Sequence, residues 1–260
     1  MSDLVTVEGA AEDARVVVIT LKGPALNALG EPVLRGLVAA VERAREMRPR
    51  CVIVTSADER AFSAGADIAS MKAMTKAQAL VYAQLGQGTF DAIEALACPV
   101  IAAVNGFALG GGCELALACD FIYASDKIKI GQPEVKLGVL PGFGGTQRLA
   151  RRVGLGHARE LIYTGRQLNS EEALRIGLVN EVWPKAELME RTLERARMIA
   201  ANGPRSVAAA KRAIDLGWDE PLAVGLALEA QAFADRFDSP EQQEGMGAFL
   251  ERRSPEFPDV

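Results

Sequence analysis

The sequence predicts an α/β protein. Two observations carry the prediction: short, nearly continuous runs of β-branched residues, and longer stretches of helical apolar period between them. A third bounds it, because the strand signal ends near Pro184 and the remainder reads as successive helices. In chain order, residues 16–20 (VVVIT) give the first largely buried strand. Residues 32–47 follow as a helix, with Val33, Leu37, Val38 and Val41 at helical spacing. Residues 51–55 (CVIVT) give the next strand, and residues 73–95 a helix carrying Tyr82, Leu85 and Ile93. A strand over residues 100–104, a helical run over 113–119, and strands over 121–123 and 127–130, turning at Ser125-Asp126, complete the core. The strand–helix recurrence is loose and never becomes a strict repeat, so a solenoid of identical units is not indicated.

Beyond Pro184 the helices break at Gly203-Pro204, between Gly217 and Pro221, and at Ser239-Pro240. Ser239, Pro240 and Gln242 fit an N-cap, a first-turn proline and a capping-box partner. This helical appendage has little core of its own. Val224, Leu228, Phe233, Phe249 and Leu250 are therefore expected to pack on the main domain or on another subunit.

Composition narrows the function classes. With 260 residues and 49% hydrophobic content, the chain can bury a substantial interior. Its 29 Lys+Arg against 34 Asp+Glu give a net charge of −5, which disfavours a nucleic-acid partner. The start, Met1-Ser2-Asp3-Leu4, has no cationic, apolar leader character, and the apolar runs fall short of a membrane span, so a cytoplasmic protein is expected. Cys51, Cys98, Cys113 and Cys119 show no C-x-x-C spacing and His157 is the single histidine, so neither a zinc site nor a disulfide framework is expected. His157 reads as an ordinary helix residue.

Several segments carry chemistry. Gly110-Gly111-Gly112 lies between a strand and a helix, where free backbone N–H groups can face an oxyanion. Three glycines fit a tight strand-to-helix turn at least as well. Glu114, in the first helical turn, suits either the helix dipole or proton transfer. Glu134 follows 20 positions later on a path that can return to its start, although a loop carboxylate is more often simply solvated. Residues 62–68 contain small residues that let backbone amides approach a ligand. Gly142-Phe143-Gly144-Gly145 fits neither G-x-G-x-x-G nor a P-loop, and there is no G-x-S-x-G elbow, which disfavours nucleotide and serine hydrolase chemistry.

In order and spacing, Ala64-Gly65-Ala66-Asp67-Ile68, the run from Asn105-Gly106 to Gly110-Gly111-Gly112-Cys113-Glu114-Leu115, and Gly131-Gln132-Pro133-Glu134 resemble the crotonase (enoyl-CoA hydratase/isomerase) family. The resemblance continues through residues 141–149 (PGFGGTQRL), and extends to residues 25–29 (ALNAL) and 244–253. It implies a crotonase-like spiral of ββα units holding the acyl-CoA site over residues 1–200, and a C-terminal helical oligomerisation region over 201–260 that builds a homotrimer or a homohexamer of two trimers. It also implies an acyl-CoA thioester substrate, with no metal and no cofactor beyond the coenzyme A of that substrate.

By motif position, the amides of Ala66 and Gly111 would form the oxyanion hole, while Ala64, Gly65, Asp67, Ile68 and Gly142 would border the substrate. Glu114 would activate water for addition at the β-carbon and Glu134 would deliver the α-carbon proton. The implied reaction is reversible syn hydration of trans-2-enoyl-CoA in fatty-acid β-oxidation or related acyl-CoA metabolism. The alternatives are a 3-enoyl to 2-enoyl isomerase and a non-catalytic binding protein of this fold. Lys22-Gly23-Pro24 departs from the Arg-Pro-Lys run of family hydratases and leaves Lys22 as the candidate phosphate contact. Phe249 and Arg252 match C-terminal positions that contact CoA in relatives. Phe143 stands where some relatives carry Ala, which implies a shortened acyl tunnel and a short-chain preference, with Met71, Met74 and Leu85 as further candidate lining.

Overall fold

Residues 4–258 are described by the structure, a computed structural model. The chain begins with an antiparallel pair, β1 (Val5–Ala10) and β2 (Asp13–Leu21), and then a single turn, α1 (Pro24–Asn27). In that turn Ala25, Leu26 and Asn27 have φ of 48°, 62° and 57°, a left-handed run that costs L-residues about 1–2 kcal/mol each. Helix α2 (Glu31–Glu46) leads to β3 (Cys51–Ser56) and a short strand, β4 (Ala61–Ser63). Next come α3 (Ile68–Met71) and α4 (Lys76–Glu94), the latter opened by a Thr75/Gln78 capping box. The expected helix over 73–95 is α4, which starts three residues later than expected, and α3 is a separate turn before it.

The strand–strand–helix unit then recurs as β5 (Val100–Val104), β6 (Phe107–Leu109) and α5 (Gly111–Leu117). It recurs again as β7 (Phe121–Ser125), β8 (Lys129–Gly131) and a 3-10 turn over Glu134–Leu137. Helices α6 (Gly145–Thr164) and α7 (Ser170–Arg175), strand β9 (Glu181–Trp183) and helix α8 (Leu188–Ala200) finish the core.

The long strands form a sheet in the order β1-β2-β3-β5-β7-β9, parallel from β2 onward. Both faces are covered, which explains the unbroken apolar runs. Val17, Ile19, Val52, Val54, Val100 and Ala102 join the main core, while Val16, Cys51, Ile53, Ile101 and Ala103 alternate to the other face beneath α8. Each fully buried aliphatic side chain contributes about 1.5–3 kcal/mol. The short strands form a second, fully parallel sheet in the order β4-β6-β8.

Helices α9 (Pro204–Gly217), α10 (Leu222–Ala234) and α11 (Pro240–Glu251) start at the predicted breaks. Of the two packings expected for their apolar residues, on the main domain or on another subunit, the first is not adopted: Val224, Phe233, Phe249 and Leu250 are exposed, and Leu228 sits at the edge of exposure. The Ser239 hydroxyl caps Gln242 N, but the Gln242 amide bonds Met246 Sδ (2.8 Å) instead of closing a capping box. Helix α5 begins at Gly111, not at the expected Cys113, because Gly110 takes the N-cap position. Strand β8 starts at Lys129, two residues later than expected, after a turn at Asp126-Lys127.

Candidate active site

The three chemistry-bearing segments leave the C-terminal ends of β4, β6 and β8, neighbours in one short parallel sheet. Ser63 pairs with Ala108 and Leu109 with Gly131, so residues 64–68, 110–114 and 132–134 emerge side by side. Strand spacing of about 5 Å makes them neighbours across the sheet. The Gly110 N–H donates to Gly131 O (2.9 Å), which continues the ladder.

The first segment is clamped from below by the left-handed turn. Ala64 N donates to Leu26 O (2.9 Å), Leu29 N to Gly65 O (2.7 Å) and Ser63 Oγ to Asn27 O (2.8 Å). The buried Asn27 amide donates to Phe62 O (3.0 Å) and Ser56 Oγ (2.7 Å). Gly65, at φ 100°, lies so close to β6 that a Cβ would stand 2.6 Å from Leu109 O and 3.3 Å from Gly111 N. The next amide, Ala66 N–H, and the Gly111 N–H at the start of α5 have no hydrogen-bond partner among the described residues. Gly111 stands in the first turn of its helix, whose N–H groups have no intrahelical acceptor. Two unpaired amides beside each other make a receptor for a carbonyl or oxyanion.

Glu114 projects from the first turn of α5 and is 1% exposed. Its Oε1 accepts from Phe143 N (2.8 Å) and Gly145 N (2.7 Å), leaving Oε2 for another partner. Burial pushes its carboxyl up to about 7, against the opposing pull of those amides and of the Arg148 charge. Glu134 opens the 3-10 turn, and a Cβ on Gly110 would lie 3.0 Å from its Oε1, which brings the second carboxylate back to the glycine corner. Burial, with repulsion from Glu114, raises Glu134 to about 7 as well. With its amide nitrogen facing the carboxylate, Gln132 donates to Glu134 Oε1 (2.8 Å) and Oε2 (3.2 Å). Gln132, Asn27 and Ser63 are site residues that sequence reasoning missed. For Gln132 the signal was a polar residue two places before the catalytic candidate.

The remaining candidates divide. Ala66 and Gly65 sit at the corner, and Ala64 and Ile68 lie exposed on its rim. The Asp67 carboxylate is taken up by capping α3, accepting from Ala69 N and Ser70 N, and is held below its usual value chiefly by the Ser70 hydroxyl. Gly142 is half-buried and its carbonyl accepts from Gln87 Nε2 (2.9 Å). Lys22 is exposed beyond β2. Phe249 (82% exposed) and Arg252 lie on and just after α11, with no side-chain hydrogen bond or ion pair among the described residues. Phe143 is not free in a channel: its ring fills the space over Gly86, edge-on to Tyr82 and Phe90, with one edge against Gly111. Met71, Met74 and Leu85 are half-buried against the main core. His157 is exposed on α6.

A buried carboxylate and a half-buried one beside a pair of unpaired amides suit acid–base chemistry next to a polarised carbonyl oxygen. The comparisons agree with that class. A family model described as enoyl-CoA hydratase/isomerase matches residues 11–260, and the chain belongs to that family. It is 45% identical to the short-chain-enoyl-CoA hydratase of Clostridium acetobutylicum, over 93% of this chain and 94% of that one. It is 44% identical to the crotonyl-CoA hydratase of Syntrophomonas wolfei, over 95% of each. The crystal structure of an enoyl-CoA hydratase from Bacillus anthracis superposes with a TM-score of 0.95 at 40% identity, covering 99% of this chain and 100% of that one. The fold is accordingly the crotonase fold.

Proposed function

We propose that the protein catalyses the reversible syn hydration of a short-chain trans-2-enoyl-CoA to the 3-hydroxyacyl-CoA. The observation that carries this is the meeting of Glu114 and Glu134 at the corner where the Ala66 and Gly111 amides are unpaired. The thioester oxygen accepts from those two amides, which makes the β-carbon electrophilic and stabilises the developing enolate. Glu114, its Oε1 fixed by two amides, takes a proton from water through Oε2 as the hydroxyl adds to the β-carbon. Glu134 gives its proton to the α-carbon. One water is consumed, and no electrons leave or enter, so the chemistry needs no cofactor beyond the substrate's coenzyme A.

Both carboxyls pushed up to about 7 support this division of labour. Near neutrality one can stand ionised as base and the other protonated as acid. Turnover is expected to follow a bell-shaped pH profile, falling on the acid side as Glu114 protonates and on the alkaline side as Glu134 ionises.

Short-chain preference is supported by the relatives' names and by the Phe143 ring beneath Gly111. Coenzyme A is assigned to the rim formed by Ala64, Gly65, Ile68 and Gly142, with Asp67 contributing main chain only, and with Lys22, Phe249 and Arg252 as outlying contacts. The exposed apolar faces of α9 and α10 support assembly of the 201–260 region into a homotrimer or homohexamer. Four cysteines without a disulfide suit the cytoplasm.

The test is loss of conjugated-thioester absorbance from crotonyl-CoA with 3-hydroxybutyryl-CoA as product. Glu114→Gln and Glu134→Gln are each expected to lower kcat by about 10²- to 10⁴-fold. Absence of hydration across enoyl chain lengths would overturn the proposal.

A further inference from the structure

We propose that Arg148 is a positioning residue: wedged between α4 and the loop at residues 143–145, it fixes the two backbone amides that hold the Glu114 carboxylate. This rests on the hydratase reading above. Arg148 Nη2 binds Asp91 Oδ1 (2.5 Å) and Glu94 Oε2 (2.8 Å) on α4, and its Nη1 donates to Phe143 O (3.2 Å). The neighbouring peptide groups point the other way, Phe143 N and Gly145 N donating to Glu114 Oε1. One guanidinium therefore grips the loop from behind while the loop grips the catalytic carboxylate in front.

Two further features favour a fixed geometry over an ordinary ion pair. The Arg148 side chain is only 14% exposed, although its partners Asp91 and Glu94 are 66% and 51% exposed. Exposed pairs by themselves contribute little, but a buried fork with one nitrogen committed to a carbonyl fixes orientation. Gly144, at φ 113°, supplies the left-handed turn, and a Cβ there would run into Arg148 Nη1. The close approach of guanidinium and loop thus depends on glycine at that position.

Positioning and simple field effects predict opposite signs. The charged and titratable groups facing Glu114 are Glu134 on the 3-10 turn, Tyr82 on α4, Cys113 on its own helix, and Arg148 on α6. Removing the Asp91 and Glu94 charges would, through the field alone, favour ionised Glu114 and move the acid limb of the pH–rate profile down. Loosening the 143–145 amides withdraws hydrogen bonds from the carboxylate and moves that limb up.

The experiment is the pH dependence of kcat and KM for enoyl-CoA hydration by the full-length Asp91→Asn/Glu94→Gln double variant. Arg148→Lys runs alongside, keeping the charge but losing the fork. The expected result for both is an acid limb displaced to higher pH, kcat reduced about 10- to 100-fold, and KM little changed. Amide hydrogen exchange of the 141–150 segment, which needs no activity, is expected to quicken in both. Unchanged exchange with a limb that stays or moves down overturns the assignment. Absence of hydration in the parent protein, with quickened exchange in the variants, would overturn the hydratase reading while leaving the mechanical role intact.

Discussion

Glu114 has to carry charge in a place that resists it. A carboxyl raised from 4.5 to about 7 binds its proton more tightly folded than unfolded. Its favourable contribution to stability is therefore fully present below pH about 4.5 and is lost as pH rises through about 7. A glutamine there can accept the same two amides through its oxygen without the buried charge. Glu114→Gln is thus expected to melt at nearly the parent temperature at pH 5 and above it at pH 8, measured by thermal melts across pH, while turnover collapses. Equal melting differences at both pH values would contradict this. Both carboxylates were picked out by the resemblance of the motifs that carry them, since from spacing alone Glu134 reads as a solvated loop carboxylate. Gln132 was not, since its role lies in its orientation toward Glu134, and Asp67 was legible for the wrong reason, its carboxylate being spent on a helix cap.

The buried parallel strands β2, β3, β5 and β7 and most helices announce themselves by their apolar runs and period, but β1 and most of the short sheet do not. Strands β4 and β6 have three residues each, too few for an alternation to register, while β8, equally short, was anticipated over 127–130. β9, at three residues, escaped for the same reason. The C-terminal helix breaks were readable because Gly-Pro and Ser-Pro punctuation is local chemistry. Gly65→Ala tests the short sheet as an element: a Cβ 2.6 Å from Leu109 O at a left-handed φ must push β4 from β6. It is expected to lower kcat about 10²-fold, as loss of one oxyanion donor does, with melting also reduced. At the other end of the chain, Glu241 on α11 is buried and accepts from Arg205 N, Ser206 N and Ser206 Oγ at the start of α9. Glu241→Ala removes that cap and is expected to cost about 1–2 kcal/mol in chemical denaturation, with crotonyl-CoA kinetics at the site nearly unchanged.

The whole molecule presents an apolar surface that a single chain leaves uncovered. Ile214, Trp218, Leu222, Leu226 and Phe233 on and beside α9 and α10 are each more than half exposed. The core end of this region is held firmly: Lys211 on α9 pairs with Asp120 (2.9 Å) from a largely buried position, and the Arg50 guanidinium donates to Ala200 O (3.1 Å) and Phe257 O (2.9 Å). Such a face, anchored yet open, suits burial against another copy. Phe233→Glu is expected to shift the assembly toward monomer in light scattering after gel filtration; an unchanged mass would count against the proposed use of this face.

The short sheet also dictates how this protein can change over time. Its strands come from successive turns of the chain, and each hands over one part of the active corner at its C-terminal end. Adding or removing a single residue between the long and short strands of any turn would slide that part by about 3.3 Å and reverse its facing. The connections at residues 57–60, 105–106 and 126–128, which join each long strand to its short partner, are therefore the lengths that the active corner constrains.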